Sequence, residues 1–230
     1  MKERVIALIL AAGSGSRMNL NITKQQIKIS DESVLRRSVR AFQECPDVDS
    51  IIIVTRADEI DFARSEASEM SKVSMITVGG KTRALSAYRG FLAIGEGCDI
   101  VAIHDAARCL VTPDMISAVL NDAATYGAAT ASSLVTDTIK SVDSTAKITG
   151  TIPRSSLRAV QTPQAFRTDI YKKAVESADL SDPSLTDDNM LVERIGYSVH
   201  CTDTGKYNIK ITTPDDLLYV NYILNGEYDG

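Results

Sequence analysis

The chain has 230 residues, of which 44% are apolar and 24% are charged, and it contains no Trp. This composition is too apolar for a disordered chain, and the length suits a single domain spanning 1–230. The net charge of −5 lacks the basic surplus that binding to a phosphate backbone requires, so nucleic acid is not an expected partner. The longest apolar run, 5–12, is far shorter than a membrane-spanning helix, so no membrane association is expected.

The four cysteines, Cys45, Cys98, Cys109 and Cys201, lie far apart, and no C-x-x-C motif is present. This spacing indicates neither a zinc site nor a redox pair. We expect buried free thiols, which are typical of a reducing compartment, and therefore a cytoplasmic protein.

Apolar runs of strand length alternate along the chain with segments of helical periodicity. The predicted strands are 5–10, 50–55, 73–78 and 99–104. The predicted helix faces carry Val34, Leu35, Val39 and Phe42, then Leu85, Tyr88 and Leu92, then Met115, Ile116, Val119, Leu120 and Ala123. Continuous Ile and Val runs are typical of strands buried on both faces of a parallel sheet. The order predicts an α/β fold with a doubly wound, mostly parallel sheet.

Two helices are predicted to start in the same way, at Thr112-Pro113-Asp114 and Thr213-Pro214-Asp215. Each offers a capping hydroxyl, a Pro at the first helical position and an acid near the positive end of the helix dipole. Gly127 and Gly226 mark their expected ends.

Residues 128–164 break this alternation, because apolar and polar residues follow each other there in the period of an antiparallel ribbon. We expect a protruding antiparallel β-arm, 136–158, inserted in the domain. A two-stranded ribbon is marginally stable alone, so the arm is expected to pack against a second copy of the chain in a homodimer.

The loop after the first strand combines glycines with two cations. Gly13 and Gly15 let backbone N–H groups approach a ligand, and Arg17 and Lys24 add positive charge. The pattern predicts a phosphate-binding loop, with a plain strand-to-helix turn as the alternative. It is not a dinucleotide fingerprint, because Met18 occupies the third glycine position, and no Walker sequence occurs in the chain.

His104 and Asp105 lie at the end of the fourth predicted strand, the edge where ligands of open α/β sheets bind. Mg²⁺ needs only one or two carboxylates besides substrate phosphates and water, so Asp105 is a candidate metal ligand, with a helix cap as the alternative. We expect His104 to pack or to form a hydrogen bond rather than to bind metal.

Seven segments occur in the order that one enzyme family shows. They are AAGSGSRM at 11–18 with Lys24, GGKTRALS at 79–86, HDAAR at 104–108, DTIK at 137–140, AVQTPQAF at 159–166, TDD at 186–188 and NIKIT at 208–212. Together they resemble the 2-C-methyl-D-erythritol 4-phosphate cytidylyltransferase family, Rossmann-like nucleotidyltransferases of non-mevalonate isoprenoid biosynthesis. The positions that depart from the family pattern are Gln26, Leu85, Cys109, Asp188 and Asn189.

The resemblance implies a role for each matching residue. The implied catalytic cations are Arg17, Lys24 and Lys210. The implied CTP-binding residues are Ala11, Ala12, Gly13, Ser14, Gly15, Ser16, Gly80, Arg83 and Ser86. The implied residues for the acceptor polyol phosphate are Asp105, Arg108, Thr138, Arg154, Thr162 and Thr186. Asp105 is also the implied ligand of Mg²⁺, and the partner subunit's arm would supply Thr138 and Arg154.

Two other interpretations remain open. The segment YNIKITTP at 207–214 also resembles ribitol-5-phosphate cytidylyltransferases, a sister family with the same fold, although HDAAR and AVQTPQ favour the methylerythritol enzymes. The other is a non-catalytic nucleotide-binding protein, which the presence of Arg17, Lys24, Asp105 and Lys210 disfavours.

Overall fold

A seven-stranded sheet forms the centre of the molecule, in a computed structural model that describes residues 3–13 and 22–224. The strands are β1 (Val5–Leu10), β2 (Lys28–Ile29), β3 (Glu32–Ser33), β4 (Ser50–Thr55), β5 (Val73–Val78), β6 (Ile100–Asp105), β7 (Ala128–Leu134), β8 (Ile139–Val142), β9 (Ile148–Ile152), β10 (Arg158–Arg167) and β11 (His200–Asp203). The helices are α1 (Val34–Glu44), α2 (Ile60–Glu66), α3 (Arg83–Leu92), α4 (Pro113–Tyr126), α5 (Thr168–Glu176), α6 (Asn189–Arg194) and α7 (Pro214–Leu224).

The strand order in the central sheet is β11-β7-β10-β6-β1-β4-β5. All neighbours are parallel except β10, which runs antiparallel to both β6 and β7. Three of the four predicted strands match the observed bounds, and the fourth is displaced by one residue to end at Asp105. The prediction of a doubly wound, mostly parallel sheet is confirmed.

Helices cover both faces of this sheet. On one face, α1 packs Leu35 and Phe42 against β1 and β4, and α4 packs Val119 against the half of the sheet that contains β7 and β10. On the other face, α3 packs Ala87 against β1 and β4, and α5 packs Tyr171 against β10 and β6, with α6 lying against α5. Buried strands between two helical layers are the expected result of the continuous Ile and Val runs, which leave no polar face for water.

The predicted starts of two helices, and the predicted end of one, are confirmed within the described residues. The Thr112 hydroxyl accepts the Met115 N–H at 3.3 Å, and α4 ends at Gly127, whose φ of +88° favours glycine. Helix α7 begins at Pro214 as predicted, whereas its predicted end at Gly226 lies outside the described residues. Among the helices of the described ranges, none has the length and apolar character needed to cross a membrane.

The prediction that 128–164 forms one ribbon outside the sheet was wrong in extent. Of the strands in this segment, only β8 and β9 form a separate two-stranded sheet, whereas β7 and β10 are hydrogen-bonded within the central sheet. The reason is that the polar side chains of β7 are buried: Thr130 donates to the Gln161 carbonyl at 3.2 Å, and Ser132 donates to the Thr202 carbonyl at 3.0 Å. Short hydroxyl side chains that bond to backbone are accommodated in a core, so their alternation did not mark an exposed face.

All four cysteines are free thiols, as predicted, but they are not all buried. Cys45 and Cys109 are buried, Cys98 is half-buried, and Cys201 is exposed on the edge strand β11. Burial raises the pKa of the Cys109 thiol to about 11, which keeps it protonated and unreactive near neutral pH.

Candidate active site

A cavity of about 340 Å³ opens at the edge of the sheet where β1 and β6 end. These strands are parallel, and Leu10 lies opposite Asp105 in the register, so the loops that follow them meet at the same edge. Among the lining residues are Ala12, Gly13, Lys24, Gly80, Arg83, Ser86, Asp105 and Lys210. Eight of the residues that the sequence singled out are thus brought to one cavity.

The wall formed by Gly79 and Gly80 has no room for side chains. A Cβ on Gly79 would lie 2.6 Å from the Ala12 Cβ, and one on Gly80 would overlap Leu85. The Gly80 N–H donates to the Ser86 hydroxyl at 3.0 Å, which in turn donates to the Thr82 carbonyl at 2.9 Å. The cavity is therefore bounded by backbone that is held in place by α3, an arrangement that allows a planar ligand to approach closely.

Two cations hold the carboxylate of Asp105. Arg83 Nε lies 3.0 Å from Oδ1, and Lys210 Nζ lies 2.7 Å from Oδ2. The backbone of Lys210 is held in turn, because the N–H of Ile211 donates to the Ala107 carbonyl at 2.8 Å. Burial acts to raise the pKa of Asp105, but the charges of Arg83 and Lys210 outweigh it and hold that pKa below its ordinary value. Asp105 is therefore an anion that fixes two cations at the cavity.

A second cavity of about 250 Å³ lies beside the first. Its lining includes the predicted acceptor residues Arg108, Thr162 and Thr186, and it shares Arg83, Asp105 and Lys210 with the first cavity. Arg108 donates to the Asn208 carbonyl at 2.9 Å, and burial lowers its pKa, although a guanidinium stays charged near neutral pH. Two ligands placed in these cavities would meet at the shared charged residues.

His104 lies in the core and is linked to Asp105, one of the shared charged residues, through the Thr162 hydroxyl. The Thr162 hydroxyl accepts the Asp105 N–H at 3.0 Å and shares a 3.0 Å hydrogen bond with His104 Nδ1. The imidazole is fully buried and packs against Phe42, and burial lowers its pKa to about 3. His104 is therefore neutral near pH 7, and it forms the hydrogen bond that the sequence predicted rather than facing either cavity.

We expect the free energy of unfolding to fall as the pH drops below about 6.5. Unfolded His104 takes up a proton in that range, whereas the folded form resists protonation until pH falls to about 3. Because the folded pKa is depressed, the stabilisation is complete above the unfolded pKa and is lost towards the folded one. Urea unfolding at neutral and mildly acidic pH measures the effect in wild type and in His104→Asn. Equal pH dependence in the two proteins would contradict this origin.

Arg83 is held on its other side by a buried carboxylate. Its Nη1 lies 2.5 Å from Asp188 Oδ2, and Asp188 Oδ1 accepts the Tyr171 hydroxyl at 2.8 Å. Asp188 is 1% exposed, and its N–H donates to Gln164 at 2.9 Å. Burial acts to lower the pKa of Arg83, but the two carboxylates outweigh it and raise that pKa above its usual value. The guanidinium thus bridges two carboxylates, Asp105 at the cavities and Asp188 in the core.

Not every predicted residue lies at these cavities. Ala11 is fully buried, and its N–H donates to the Val54 carbonyl at 2.7 Å. It therefore does not line the cavity, whereas its neighbour Ala12 does. Thr138 and Arg154 are exposed at the arm and line neither cavity, and Arg154 donates to the Thr136 carbonyl at 2.5 Å. The predicted residues outside the described ranges are Ser14, Gly15, Ser16 and Arg17.

Several lining residues were given no role from the sequence. Gln25 and Lys81 line the first cavity, and Gln164 and Asp187 line the second. Lys81, Gln164 and Asp187 belong to the segments 79–86, 159–166 and 186–188, and Gln25 directly follows Lys24. Their place in or beside a motif was therefore the available signal, but it does not show which way a side chain points.

Asp105 is the only carboxylate that lines the first cavity in the described part of the chain. No group of three or more His, Cys, Asp or Glu residues that could hold a metal occurs among residues 3–13 and 22–224. This donor set fits Mg²⁺, which binds through one or two carboxylates when phosphate oxygens and water complete the coordination.

Comparisons with known proteins agree with this arrangement. Residues 5–226 match the profile of the family described as IspD: 2-C-methyl-D-erythritol 4-phosphate cytidylyltransferase. A protein of that name from Clostridium perfringens is 38% identical over 223 residues, covering 96% of this chain and 99% of the relative. One from Alkaliphilus oremlandii is 36% identical over 231 residues, covering 99% of this chain and 98% of the relative.

A similar structure is the 4-diphosphocytidyl-2C-methyl-D-erythritol synthase of Anaerococcus prevotii. It superposes with a TM-score of 0.87 at 26% identity, covering 98% of this chain and all of the other. The Thermus thermophilus 2-C-methyl-D-erythritol 4-phosphate cytidylyltransferase has a TM-score of 0.76 at 27% identity. The likeness therefore extends over the whole chain.

Proposed function

This chain belongs to the 2-C-methyl-D-erythritol 4-phosphate cytidylyltransferase family, and on that premise we propose that it joins CTP and 2-C-methyl-D-erythritol 4-phosphate. The products are CDP-methylerythritol, an intermediate of non-mevalonate isoprenoid synthesis, and pyrophosphate. The observation that carries the proposal is that two cavities meet at one cluster, Arg83, Asp105 and Lys210. Such a junction suits a reaction that joins two phosphorylated ligands.

The reaction is a direct displacement at phosphorus. A phosphate oxygen of the acceptor forms a bond to the α-phosphorus of CTP while the bond from that phosphorus to the bridging oxygen of pyrophosphate breaks. A phosphate monoester is mostly ionised at pH 7, so no general base is needed. The obstacle is repulsion between two anions, and fixed cations offset it and hold the reactants in line.

The residues divide between the two ligands according to the cavities. Ala12, Gly13 and the Gly79-Gly80 wall bind the nucleotide, and Lys24 provides positive charge for its triphosphate. Ser14, Gly15, Ser16 and Arg17 share this role by their place in the motif, and Ala11 precedes them without lining the cavity. Arg108, Thr162 and Thr186 bind the acceptor phosphate in the second cavity. Lys210 lies between the two and faces the reacting groups.

Mg²⁺ is part of the proposed reaction, with Asp105 as its protein ligand. When bound, the ion neutralises charge on the triphosphate and the leaving pyrophosphate. Asp105 also anchors Lys210 and Arg83. We expect Asp105→Asn to raise the Mg²⁺ concentration that gives half-maximal activity at least about tenfold, because loss of even a hydrogen-bond partner of a metal ligand weakens metal binding by that much. The same Mg²⁺ dependence in wild type and variant would exclude Asp105 as the ligand.

The assay that tests the function follows pyrophosphate release from CTP with each candidate acceptor. Turnover with 2-C-methyl-D-erythritol 4-phosphate supports the proposal. Turnover with ribitol 5-phosphate alone would assign the chain to the sister activity that 207–214 resembles. CTP binding without turnover on either acceptor would support a non-catalytic nucleotide-binding protein.

The proposed enzyme is a homodimer in which each arm reaches the partner's site. The arm has exposed apolar side chains, Val142 and Ile148, and Leu134 at its base is also exposed. Exposed apolar residues on a strand tend to associate with another chain, so contact with a second subunit would bury them. Arg154 and Thr138 line neither of the two cavities of their own chain, and a partner's acceptor cavity would give both a ligand.

Mixed variants test arm exchange. Arg154→Ala and Lys24→Ala subunits, each with kcat lowered about 10²-fold alone, are expected to regain about a quarter of wild-type activity when mixed and allowed to exchange. Half of the random dimers are then heterodimers, and each heterodimer has one site with both residues intact. If each arm served its own subunit, every site in the mixture would lack one residue and no activity would return.

We place the enzyme in the cytoplasm. The four unpaired thiols, one of them exposed at Cys201, support this location, because they suit a reducing compartment. Fractionation of the native cells with an antibody to the chain tests it.

A further inference from the structure

The loop that carries Lys24 is anchored on both sides of that residue. On one side, Gln25 is 2% exposed and its carbonyl accepts the Leu35 N–H at 3.2 Å. On the other side, the Thr23 hydroxyl donates a short hydrogen bond to Glu59 Oε1. Lys24 lines the nucleotide cavity, where its Cε lies 4.0 Å from the Cβ position of Gly13. The two anchors therefore fix the backbone from which the Lys24 side chain extends.

Glu59 is an unusual anchor, because it is a carboxylate that is only 3% exposed. It lies in the 3₁₀ turn Ala57–Glu59 directly after β4, and it lines neither of the two cavities. Its second oxygen, Oε2, is buried and has no hydrogen-bond partner in the part of the chain that the structure describes. Burial of a carboxylate with so few hydrogen-bond partners costs free energy of folding.

We propose that Glu59 is a positioning residue, which acts through Thr23 to hold Lys24 at the nucleotide cavity. This inference rests on the proposed function, since it assigns Lys24 to the triphosphate. A lysine has four rotatable bonds, so the placement of its ammonium depends on how firmly its own backbone is held. The link from Glu59 to Thr23 joins the end of β4 to the loop after β1, and the sheet thereby supports a residue in a loop.

The test rests on the hydroxyl of Thr23. Thr23→Val removes the hydrogen bond with little change in shape, and we expect kcat to fall about tenfold while KM for the acceptor is unchanged. Glu59→Gln keeps an acceptor for Thr23 and is expected to retain most of the activity, as is Thr23→Ser. Glu59→Ala removes the acceptor and should match Thr23→Val.

A double-mutant cycle separates positioning from general damage. In the Lys24→Ala background, Thr23→Val is expected to cause no further loss of kcat, because the residue through which it acts is gone. If Thr23→Val lowered kcat equally in both backgrounds, or left kcat unchanged in the wild-type background, the inference would be overturned. Thermal unfolding of each variant shows whether it is folded at the assay temperature.

Ser117→Ala is the matched control. The Ser117 hydroxyl donates to Asp47 at 2.6 Å, a bond of the same kind between two half-buried residues that line neither cavity. We expect this variant to keep wild-type kcat. Wild-type protein that does not convert CTP and methylerythritol phosphate would refute the proposed function, whereas active wild type with an unaffected Thr23→Val variant would refute only the role of Glu59.

Discussion

Replacement of Lys210 by Ala is expected to lower kcat by about 10²- to 10³-fold, the loss typical when one group that stabilises a transition state is removed. Lys210 lines both cavities and its ammonium lies 2.7 Å from Asp105. In the proposed reaction it is thus the cation at the position where the two phosphates meet. Because charge builds up there only as the new bond forms, kcat and kcat/KM should fall together, with KM for CTP little changed.

The segment around Lys210 offers a matched control. Lys206 is exposed in the same stretch of chain, with its ammonium 5.3 Å from the centre of the Tyr207 ring, and it lines neither cavity. Lys206→Ala is therefore expected to leave kcat unchanged. Lys210→Arg keeps the charge but alters its shape and reach, so partial activity is expected. Near-normal kcat in Lys210→Ala would exclude Lys210 from the reaction.

The fold was predictable from sequence wherever local composition decides the structure. The apolar runs 5–10 and 50–55 became β1 and β4 with the predicted bounds, because a strand in a covered parallel sheet must be apolar on both faces. The run 73–78 also has the predicted bounds as β5, although this edge strand has no fully buried residue. The starts of α4 and α7 were predictable for a similar reason, since a capping residue and Pro act within one turn.

The prediction failed where burial depends on distant partners. Strand β7 is rich in Ala, Thr and Ser, and its polar residues are buried because β10 and β11 provide carbonyls for them. Strand β11 was not predicted at all, since it is a short edge strand with three of its four residues exposed. Neither the partners of β7 nor the edge position of β11 is encoded within a short segment.

The candidate site was likewise predictable from sequence only in part. Motifs pointed to Lys24, Asp105 and Lys210, and the structure brings all three to one cavity. The supporting pairs were not visible in the sequence: Thr23 with Glu59 is 36 residues apart, and Arg83 with Asp188 is 105 apart. Pairs of this kind depend on which strand ends and helices the fold places together, so spacing along the chain does not reveal them.

The second large effect concerns stability. We expect Asp188→Ala to lower the free energy of unfolding by about 3–5 kcal/mol, because removal of one partner of a buried ion pair leaves the other charge uncompensated. Asp188 is 1% exposed and accepts hydrogen bonds from both Arg83 and Tyr171. Its loss therefore leaves the Tyr171 hydroxyl unpaired in the core and leaves the buried side of the Arg83 guanidinium without its carboxylate, while Asp105 still holds the other side. Urea unfolding followed by circular dichroism measures the change.

An ion pair of nearly the same length serves as the control. Arg64 and Asp61 are 2.6 Å apart, compared with 2.5 Å for Arg83 and Asp188, but both of their side chains are largely exposed. Exposed pairs contribute about 1 kcal/mol or less, so Asp61→Ala is expected to have little effect on unfolding. Equal losses in Asp61→Ala and Asp188→Ala would show that burial does not set the strength of the Asp188 pair.

A double replacement separates the charge from the packing. Arg83→Met together with Asp188→Leu removes both charges and keeps apolar volume, so most of the stability lost in Asp188→Ala is expected to return. Catalysis is not expected to return with it, because Arg83 also holds Asp105 at 3.0 Å and lines both cavities. A variant that is stable but inactive would show that the buried pair serves the junction of the two cavities rather than the stability of the fold.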